Sequence, residues 1–428
     1  MSSRESEGNS PVADVLPWGR RAALLQGVTI LDLTRFLAGP FGTMILADLG
    51  ATVIKVEQLE GDSTRQNPPY FVGGDSAYFV AINRNKQSIS LDIRTVEGAE
   101  VLRRLIKKAD VVLDNLRAPQ RRALSLDFED LTKLNPRIVS CSVTGFGSDG
   151  PYADRPAYDI IVEALAGVMS VTGPEGGPSV RAGVPIGDIT AGLYAAIGTL
   201  AGLAHRDRTG KGVHIDVSML DSQISLLSYL AQFYLVSGVV PTHQGRAHVA
   251  IPTYNTFLSK DGHEIVVAAN TQEMWGSLCN VLNCPELIDD PRFRTNIDRL
   301  AHRAELLDRL RDLFAKQNKS ELLEGLIEQE VPAAPINGID DALLDPQVRH
   351  REMVVKMRHR SGSDVETLGS PLKIDGAGDG ELYASPPALG ESSRPVLVDL
   401  GYSAEEIDQL FETGAVRASA PTREMIDR

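Results

Sequence analysis

Three cysteines, Cys141, Cys279 and Cys284, are all that the 428 residues contain. They are too few for a disulfide framework, and no CxxC pair is available for a metal or a redox couple. Positive charge is also scarce. Lys and Arg number 43 against 57 Asp and Glu, a net charge of −14, which opposes the basic footprint of a nucleic-acid binder and disfavours anionic membrane surfaces. Long hydrophobic runs are missing too: the longest uncharged apolar stretch, Ile189 to Ala204, is shorter than the roughly 20 residues a bilayer crossing needs. Its richness in Gly and Ala reads as a buried helix, with Gly198 and Gly202 four apart so that a neighbour can pack closely. Residues 1–26 mix Arg4 with Glu5 and Glu7 and have no apolar centre, which fits neither a secretory signal nor a transit peptide. The expectation is a flexible tail on a cytoplasmic protein.

From Gly27 onward, β-branched runs alternate with helical patterns. Val28 to Leu33, Thr52 to Val56, Ser88 to Ile93, Asp110 to Leu113 and Arg137 to Val143 read as buried strands. Pro40 to Leu49, Val96 to Lys108 and Phe128 to Asn135 carry apolar residues at helical spacing. That alternation predicts an α/β fold, a doubly wound parallel sheet forming a large domain over 27–222. After Tyr158 a helix from Ile160 to Met169, the small-residue helix from Ile189, a strand from His214 to Ser218 and a helix from Asp221 to Val236 follow. A hairpin, Asn255 to Leu258 with Glu264 to Ala268, and amphipathic helices Arg303 to Phe314 and Ser320 to Gln329 mark a smaller α+β domain, 223–342. Residues 343–428, ending in a helix near Ala404 to Phe411, are expected to return to the large domain or cross to a partner.

The stretch CSVTGFGSDGPYADRPAYD, 141–159, places Gly145, Gly147 and Gly150 in a G-x-G-x-x-G directly after a strand. A dinucleotide fingerprint needs its third glycine to open a helix and an acidic residue to end the next strand about 20 residues on. Pro151 and Pro156 delay any helix until about Ala157, and Glu175 ends no strand, so a dinucleotide cofactor is not expected. What the loop delivers is Tyr158-Asp159 at a helix start. There an Asp is by default an N-cap, and Asp188 before the Ile189 helix has the same default. Asp32 and Glu57 read as structural ion pairs. His243 and His248 lack Cys or acidic companions, so no metal site is expected.

Together, GVTILDLTRFLAGPFGTMILADLGATVIKVE, GDSTR, NRNKQSISLDI, ADVVLDNLR, SVTGFGSDGPYADRPAYD, EALAGVMSVTG, GDITAGLYAAIGTLAGLAHRDRTGKG and VPAAPI resemble, in order, the family III CoA-transferases. The likeness runs from Gly27 to Val416. It implies that Asp159 is the nucleophile, attacking an acyl-CoA thioester to form a mixed anhydride and then an aspartyl-CoA thioester. By the same resemblance Phe36, Leu37, Ala38, Leu91, Arg94, Asn115 and Arg117 line the CoA groove, and Gly145, Gly147 and Gly150 shape an oxyanion-binding floor.

Gln58 and Ala118-Pro119 depart from the family's pattern, which leaves Arg121 or Arg122 as substitutes for holding the adenosine phosphate. The stretch Gly245-Arg246-Ala247-His248 is similar to the dicarboxylate-using branch, with Arg246 and His248 as candidate substrate contacts. The expected activity is therefore transfer of CoA from succinyl-CoA to a dicarboxylate, by an interlocked homodimer with no metal or cofactor, CoA being a substrate. Racemase relatives place His before the catalytic Asp, whereas this chain has Tyr158. An α-methylacyl-CoA racemase, an intramolecular CoA isomerase and a silent acyl-CoA binder are the alternatives.

Overall fold

The computed structural model describes residues 16–243, 245–376 and 380–418. Two compact units divide the chain: Met1–Ala166, Val184–Leu226 and Pro346–Arg428 form one, and Gly167–Gly183 with Leu227–Asp345 the other. The second unit thus takes in 167–183, which the sequence reading left with the first.

In the first unit the order is β1 (Thr29–Leu33), α1 (Ala38–Asp48), β2 (Thr52–Glu57), β3 (Lys86–Leu91), α2 (Val96–Lys108), β4 (Val111–Asp114), α3 (Phe128–Leu134), β5 (Val139–Thr144), α4 (Asp159–Leu165), α5 (Ile186–Thr209), β6 (Val213–Ser218) and α6 (Met219–Leu226). The second unit contributes α7 (Ser228–Ser237), β7 (Tyr254–Leu258), β8 (Glu264–Ala268), α8 (Gln272–Val281), α9 (Arg303–Phe314), α10 (Lys319–Glu328) and β9 (Ala333–Pro335). The chain then returns to the first with β10 (Val354–Arg358), β11 (Asp364–Leu368), α11 (Ser393–Asp399), α12 (Ala404–Glu412) and β12 (Val416–Arg417).

The seven-stranded sheet runs β12-β3-β2-β1-β4-β5-β6, parallel except for β12, which pairs antiparallel with β3 through Val416↔Leu91. Strand order therefore reverses at β1, which has β2 on one side and β4 on the other. A crevice opens beyond the carboxyl ends of the strands at such a point, and α/β proteins bind ligands there. The C-terminal segment comes back to its own chain's sheet.

Helices form where sequence and packing agree. Thr95 caps α2 by accepting from Gly98 N, Glu97 sits in its first turn and Lys107 and Lys108 in its last, each favourable to the helix dipole. Its Val101, Leu102, Leu105 and Ile106 stripe is buried with Leu31, Ile89 and Val112 of the sheet. The small-residue helix α5 is long and apolar enough to cross a membrane by length and composition, and it packs on α1, β5 and β6. Its contact with α1 is made of backbone: a Cβ on Gly192 would lie 2.6 Å from Ala38 O, and one on Gly42 would lie 2.7 Å from Gly192 O. This close crossing carries the start of α5 up to the start of α1.

Several boundaries differ from the sequence reading. The third strand is Lys86–Leu91, ending before Asp92, whose carboxylate accepts from Arg94 N and turns the chain. The helix expected over Asp221 to Val236 breaks before Ser228, which has φ 45. The helix expected from Ile160 to Met169 ends at Leu165, with Gly167 at φ 83 beyond it. Residues 16–26, read as tail, are pinned: Gly19 N donates to Lys356 O and Lys356 N to Pro17 O. Residues 1–15 of that expected tail lie outside the described residues.

The second unit is a three-stranded antiparallel sheet, β9-β8-β7, with a core of Trp275, Phe293 and a Phe257–Phe314 stack at 4.3 Å.

Beneath the crevice lies a buried ionic network. Lys86 Nζ donates to Asp32 Oδ2 at 3.0 Å, and Lys55 Nζ donates to Thr34 O at 2.8 Å and pairs with Asp62 at 2.9 Å. Glu57 pairs with Arg65. Burial alone would raise the Asp32 carboxyl, but Lys86 and Lys55 hold it well below the usual carboxylate range. Burial pushes the Lys86 ammonium down to about 8, with Asp32 opposing. Asp32 and Glu57 are structural, and the network's product is the position of the Thr34–Ala38 loop above it. Lys55→Met strands Asp62 without its cation and is expected to cost about 3–5 kcal/mol, read as a lower urea midpoint.

Candidate active site

The loop from Thr34 to Ala38 follows β1, and the loop Asn115 to Arg117 follows β4. Asn115 stitches them across the crevice, its Oδ1 accepting from Arg35 N at 3.1 Å and its Nδ2 donating to Arg35 O at 2.8 Å. Phe36 is held at φ 65, a left-handed conformation that costs a non-glycine residue about 1–2 kcal/mol. It meets Tyr158 edge to face at 6.2 Å, and both rings are exposed. They flank a cleft of about 360 Å³ lined also by Leu37, Ala38, Tyr78, Arg117, Gly145, Arg155 and Asp188. An adjoining cleft of about 210 Å³ shares Arg35, Leu116 and Gln120 with it and adds Leu91 and Arg94. Arg94 is bound to Asp92. No ion pair is recorded for Arg35, Arg117 or Arg155 among the described residues. Guanidinium groups suit phosphate and carboxylate oxygens through paired N–H donors.

Asp159 is the first residue of α4, preceded by Tyr158 at the N-cap, and its carboxylate does not cap its own helix. Oδ1 accepts from Gly187 N at 2.8 Å and from Asp188 N at 3.3 Å. These are amides of the first turn of α5, whose own N-cap, Pro185, provides no side-chain bond. Asp159 thus caps a neighbouring helix, and the positive end of a 24-residue helix faces its carboxylate. Gly187 is what permits the approach: a Cβ there would lie 2.8 Å from Asp159 Oδ1 and 2.1 Å from Gln223 Nε2. The other oxygen, Oδ2, has no hydrogen-bond partner among the described residues. Asp159 is only 8% exposed, so this is a desolvated carboxylate with one oxygen anchored and one uncommitted.

With that geometry in place, the sequence comparisons decide the family. The model of CoA-transferase family III matches residues 25–393. The chain belongs to that family. It is 39% identical over 394 residues to the human succinyl-CoA:glutarate CoA-transferase, spanning 92% of this chain and 90% of that one. It is 37% identical to the succinyl-CoA:mesaconate CoA-transferase of Haloarcula hispanica, over 88% of this chain and 96% of the relative. Among solved structures, a CAIB/BAIF family protein from Brucella suis superposes with TM-score 0.79 at 39% identity, covering 89% of this chain and all of that one.

Against the residues expected from family III resemblance, Phe36, Leu37, Ala38, Leu91, Arg94, Asn115 and Arg117 all border the paired clefts. Leu91 is otherwise buried in the sheet core, and Asn115 spends its amide on the Arg35 backbone. Of the glycines expected to form an oxyanion floor, Gly145 borders the cleft, whereas Gly147 and Gly150 are not part of its lining. Gly147 N already donates to Thr144 Oγ1, Gly150 is exposed, and Gly145 serves close packing, since a Cβ on it would lie 2.2 Å from the Ala157 Cβ. The amides that meet the Asp159 carboxylate come instead from Gly187 and Asp188.

Asp188 is not the N-cap the sequence suggested but lies inside the first turn of α5. Arg121 is tied to Asp127 and Ser148, so its guanidinium is not open to a phosphate, while Arg122 is exposed. Arg246 and His248 belong to the second unit, where Arg246 pairs with Glu264 and His248 stacks between Tyr229 and Tyr254 at 5.8 and 5.6 Å. Sequence reasoning missed Arg35, Arg155, Tyr78, Gly187 and Gln223. Arg35 and Arg155 stood inside the family's own motifs beside residues already chosen. Among the described residues no group of His, Cys, Asp or Glu is arranged to hold a metal ion.

Burial pushes the Asp188 carboxyl up to about 7, Asp159 adds to the rise, and the Ala38 amide opposes it. Burial also lifts the Tyr78 hydroxyl to about 12, with Asp188, Asp62 and Asp159 contributing, so it stays a proton donor in the cleft. For Asp188 the folded pKa lies above the ordinary 3.8. Its ionisation therefore destabilises the fold increasingly as pH rises from about 4 to 7, and the penalty is constant above that. Asp188→Asn is expected to gain stability over the parent by an increment that grows by about 2 kcal/mol between pH 5 and pH 8, measured by urea unfolding at both.

Proposed function

We propose that this CoA-transferase moves CoA from succinyl-CoA to a dicarboxylate through covalent intermediates on Asp159. The observation that carries this reading is the asymmetric hold on the Asp159 carboxylate, Oδ1 on two helix-terminal amides and Oδ2 without a partner. Oδ2 adds to the thioester carbonyl, and collapse of the adduct expels CoA thiolate and leaves a mixed anhydride. The thiolate then adds to the aspartyl Cγ, the C–O bond to the acyl group breaks, and the released acid departs with the former Oδ2. In that step the aspartyl oxyanion forms at Oδ1, already seated on the Gly187 and Asp188 amides, which is where preorganised donors lower a barrier. The acceptor carboxylate attacks the aspartyl-CoA thioester and the sequence reverses, one acceptor oxygen remaining on Asp159.

Family relatives named for succinyl-CoA with glutarate or mesaconate support a dicarboxylate acceptor. Arg35, Arg117 and Arg155 on the cleft wall offer counter-charges for CoA phosphates and for the acceptor's second carboxylate. We take the enzyme to work in the cytoplasm as a homodimer without a further cofactor. The run of exposed apolar side chains on α7, Tyr229, Phe233, Tyr234, Leu235 and Val236, is consistent with a partner chain covering it. Tyr158 in place of the racemases' His argues for transfer over racemisation. The test is a screen of CoA esters against free acids by mass spectrometry. Succinyl-CoA with C4 to C6 dicarboxylates is expected to exchange fastest, and α-carbon deuterium uptake without a second acid would favour the racemase instead.

A further inference from the structure

Gln223, on α6, is fully buried, yet neither its Nε2 nor its Oε1 has a hydrogen-bond partner among the described residues. Buried amides are ordinarily paired, because an unpaired one loses the water bonds it had when unfolded. Its place makes the exception informative. Gln223 Nε2 and Asp159 Oδ1 both crowd the point where a Gly187 Cβ would stand, at 2.1 and 2.8 Å. The middle of α6 therefore sets the Gln223 amide beside Asp159 Oδ1 at the start of α4, an oxygen that already accepts from two backbone amides at the start of α5.

We propose that Gln223 is a further catalytic residue, donating its Nε2–H to Asp159 Oδ1 when the aspartyl carbon becomes tetrahedral. The inference rests on the reading of Asp159 as nucleophile. In the resting carboxylate, charge is shared between two oxygens and the backbone amides serve Oδ1. When CoA thiolate adds to Cγ of the anhydride, a C–S bond forms and the carbonyl π pair moves onto Oδ1 as a full negative charge with a further lone pair. On collapse that pair returns, the bond from Cγ to the acyl-bearing oxygen breaks, and the acid leaves as its carboxylate. The same oxyanion forms when the acceptor carboxylate adds to the aspartyl-CoA thioester and expels the thiolate. A third donor engaged only in these species lowers the barrier without tightening substrate binding.

Gln223→Met keeps the side-chain length and removes both polar ends. The expected result is a fall in kcat of about 100-fold, an unchanged KM for succinyl-CoA, and a melting temperature equal to or above the parent's, since no protein hydrogen bond is lost. A merely structural glutamine would show the opposite pattern, lower stability with kcat retained, and that result overturns the proposal. Gln223→Leu carries the same expectation should the methionine variant not fold. Hydroxylamine trapping during turnover is run beside it on the parent enzyme. Absence of a hydroxamate at Asp159 in the parent sinks the covalent reading itself, whereas a trapped parent with Gln223→Met at full kcat overturns the role of Gln223 alone.

Discussion

Asp159→Asn is expected to remain folded and to lose CoA transfer by about 10⁴-fold or more, because an amide oxygen is no nucleophile toward a thioester. The fold survives because Asn keeps the one contact that is structural. Its Oδ1 still accepts from the Gly187 and Asp188 amides that Asp159 holds at 2.8 and 3.3 Å, so α5 keeps its cap. Asp159→Ala removes that cap as well, adding about 1 kcal/mol of instability, and comparison of the two separates structural from chemical roles. The reading of Asp159 as only a helix cap predicts the reverse, an active Asn variant and a defective Ala variant. The assay is exchange of labelled CoA between succinyl-CoA and glutarate, paired with thermal unfolding of each variant.

Gly187→Val is the second substitution with a large expected effect. Its Cβ would fall 2.1 Å from Gln223 Nε2 and 2.8 Å from Asp159 Oδ1, separations that real side chains do not adopt, so the carboxylate must leave its amides. Losing the preorganised donors is expected to reduce kcat by about 10²–10³-fold, and forcing methyls into a filled site costs about 1–3 kcal/mol of stability. CoA itself should still bind, since Arg117 follows β4, and the loop carrying Arg35 and Phe36 is also held by Lys55 on Thr34 O and by Asn115 on the Arg35 backbone. Isothermal titration with CoA measures the first part and steady-state exchange the second. A Gly187→Val enzyme with parental kcat would mean that the α5 amides play no part in the reaction.

How much of this was legible beforehand differs by level. The parallel strands were visible because strands buried on both faces read as continuous β-branched runs, and α2 because cap, stripe and terminal charges coincide. Asp159 was legible only through the family's motifs, since an Asp at a helix start is ordinarily a cap, and here it does cap a helix. Which helix it caps was not legible. Gly187 lies 28 residues on from Asp159, and no local signal says that its amide turns toward that carboxylate. Gln223 was more hidden still, a generic helix residue whose meaning comes from having no hydrogen-bond partner among the described residues at the place where α4, α5 and α6 meet. The oxyanion floor was assigned to Gly145, Gly147 and Gly150 because glycine loops suggest free amides. In the fold, the Gly147 amide is consumed by Thr144. The break of the Asp221 to Val236 helix at Ser228 falls at the boundary between the two units, a tertiary constraint that periodicity does not carry.

The most direct measurement follows oxygen. When glutarate labelled with heavy oxygen in its carboxylates is converted over many turnovers with succinyl-CoA, the peptide bearing Asp159 is expected to gain one heavy oxygen and no more. The acceptor's atom stays at the attacking position, while Oδ1, pinned by the Gly187 and Asp188 amides, is retained. A peptide that stays unlabelled through turnover, or label on the peptide carrying Asp188 instead, would contradict the account.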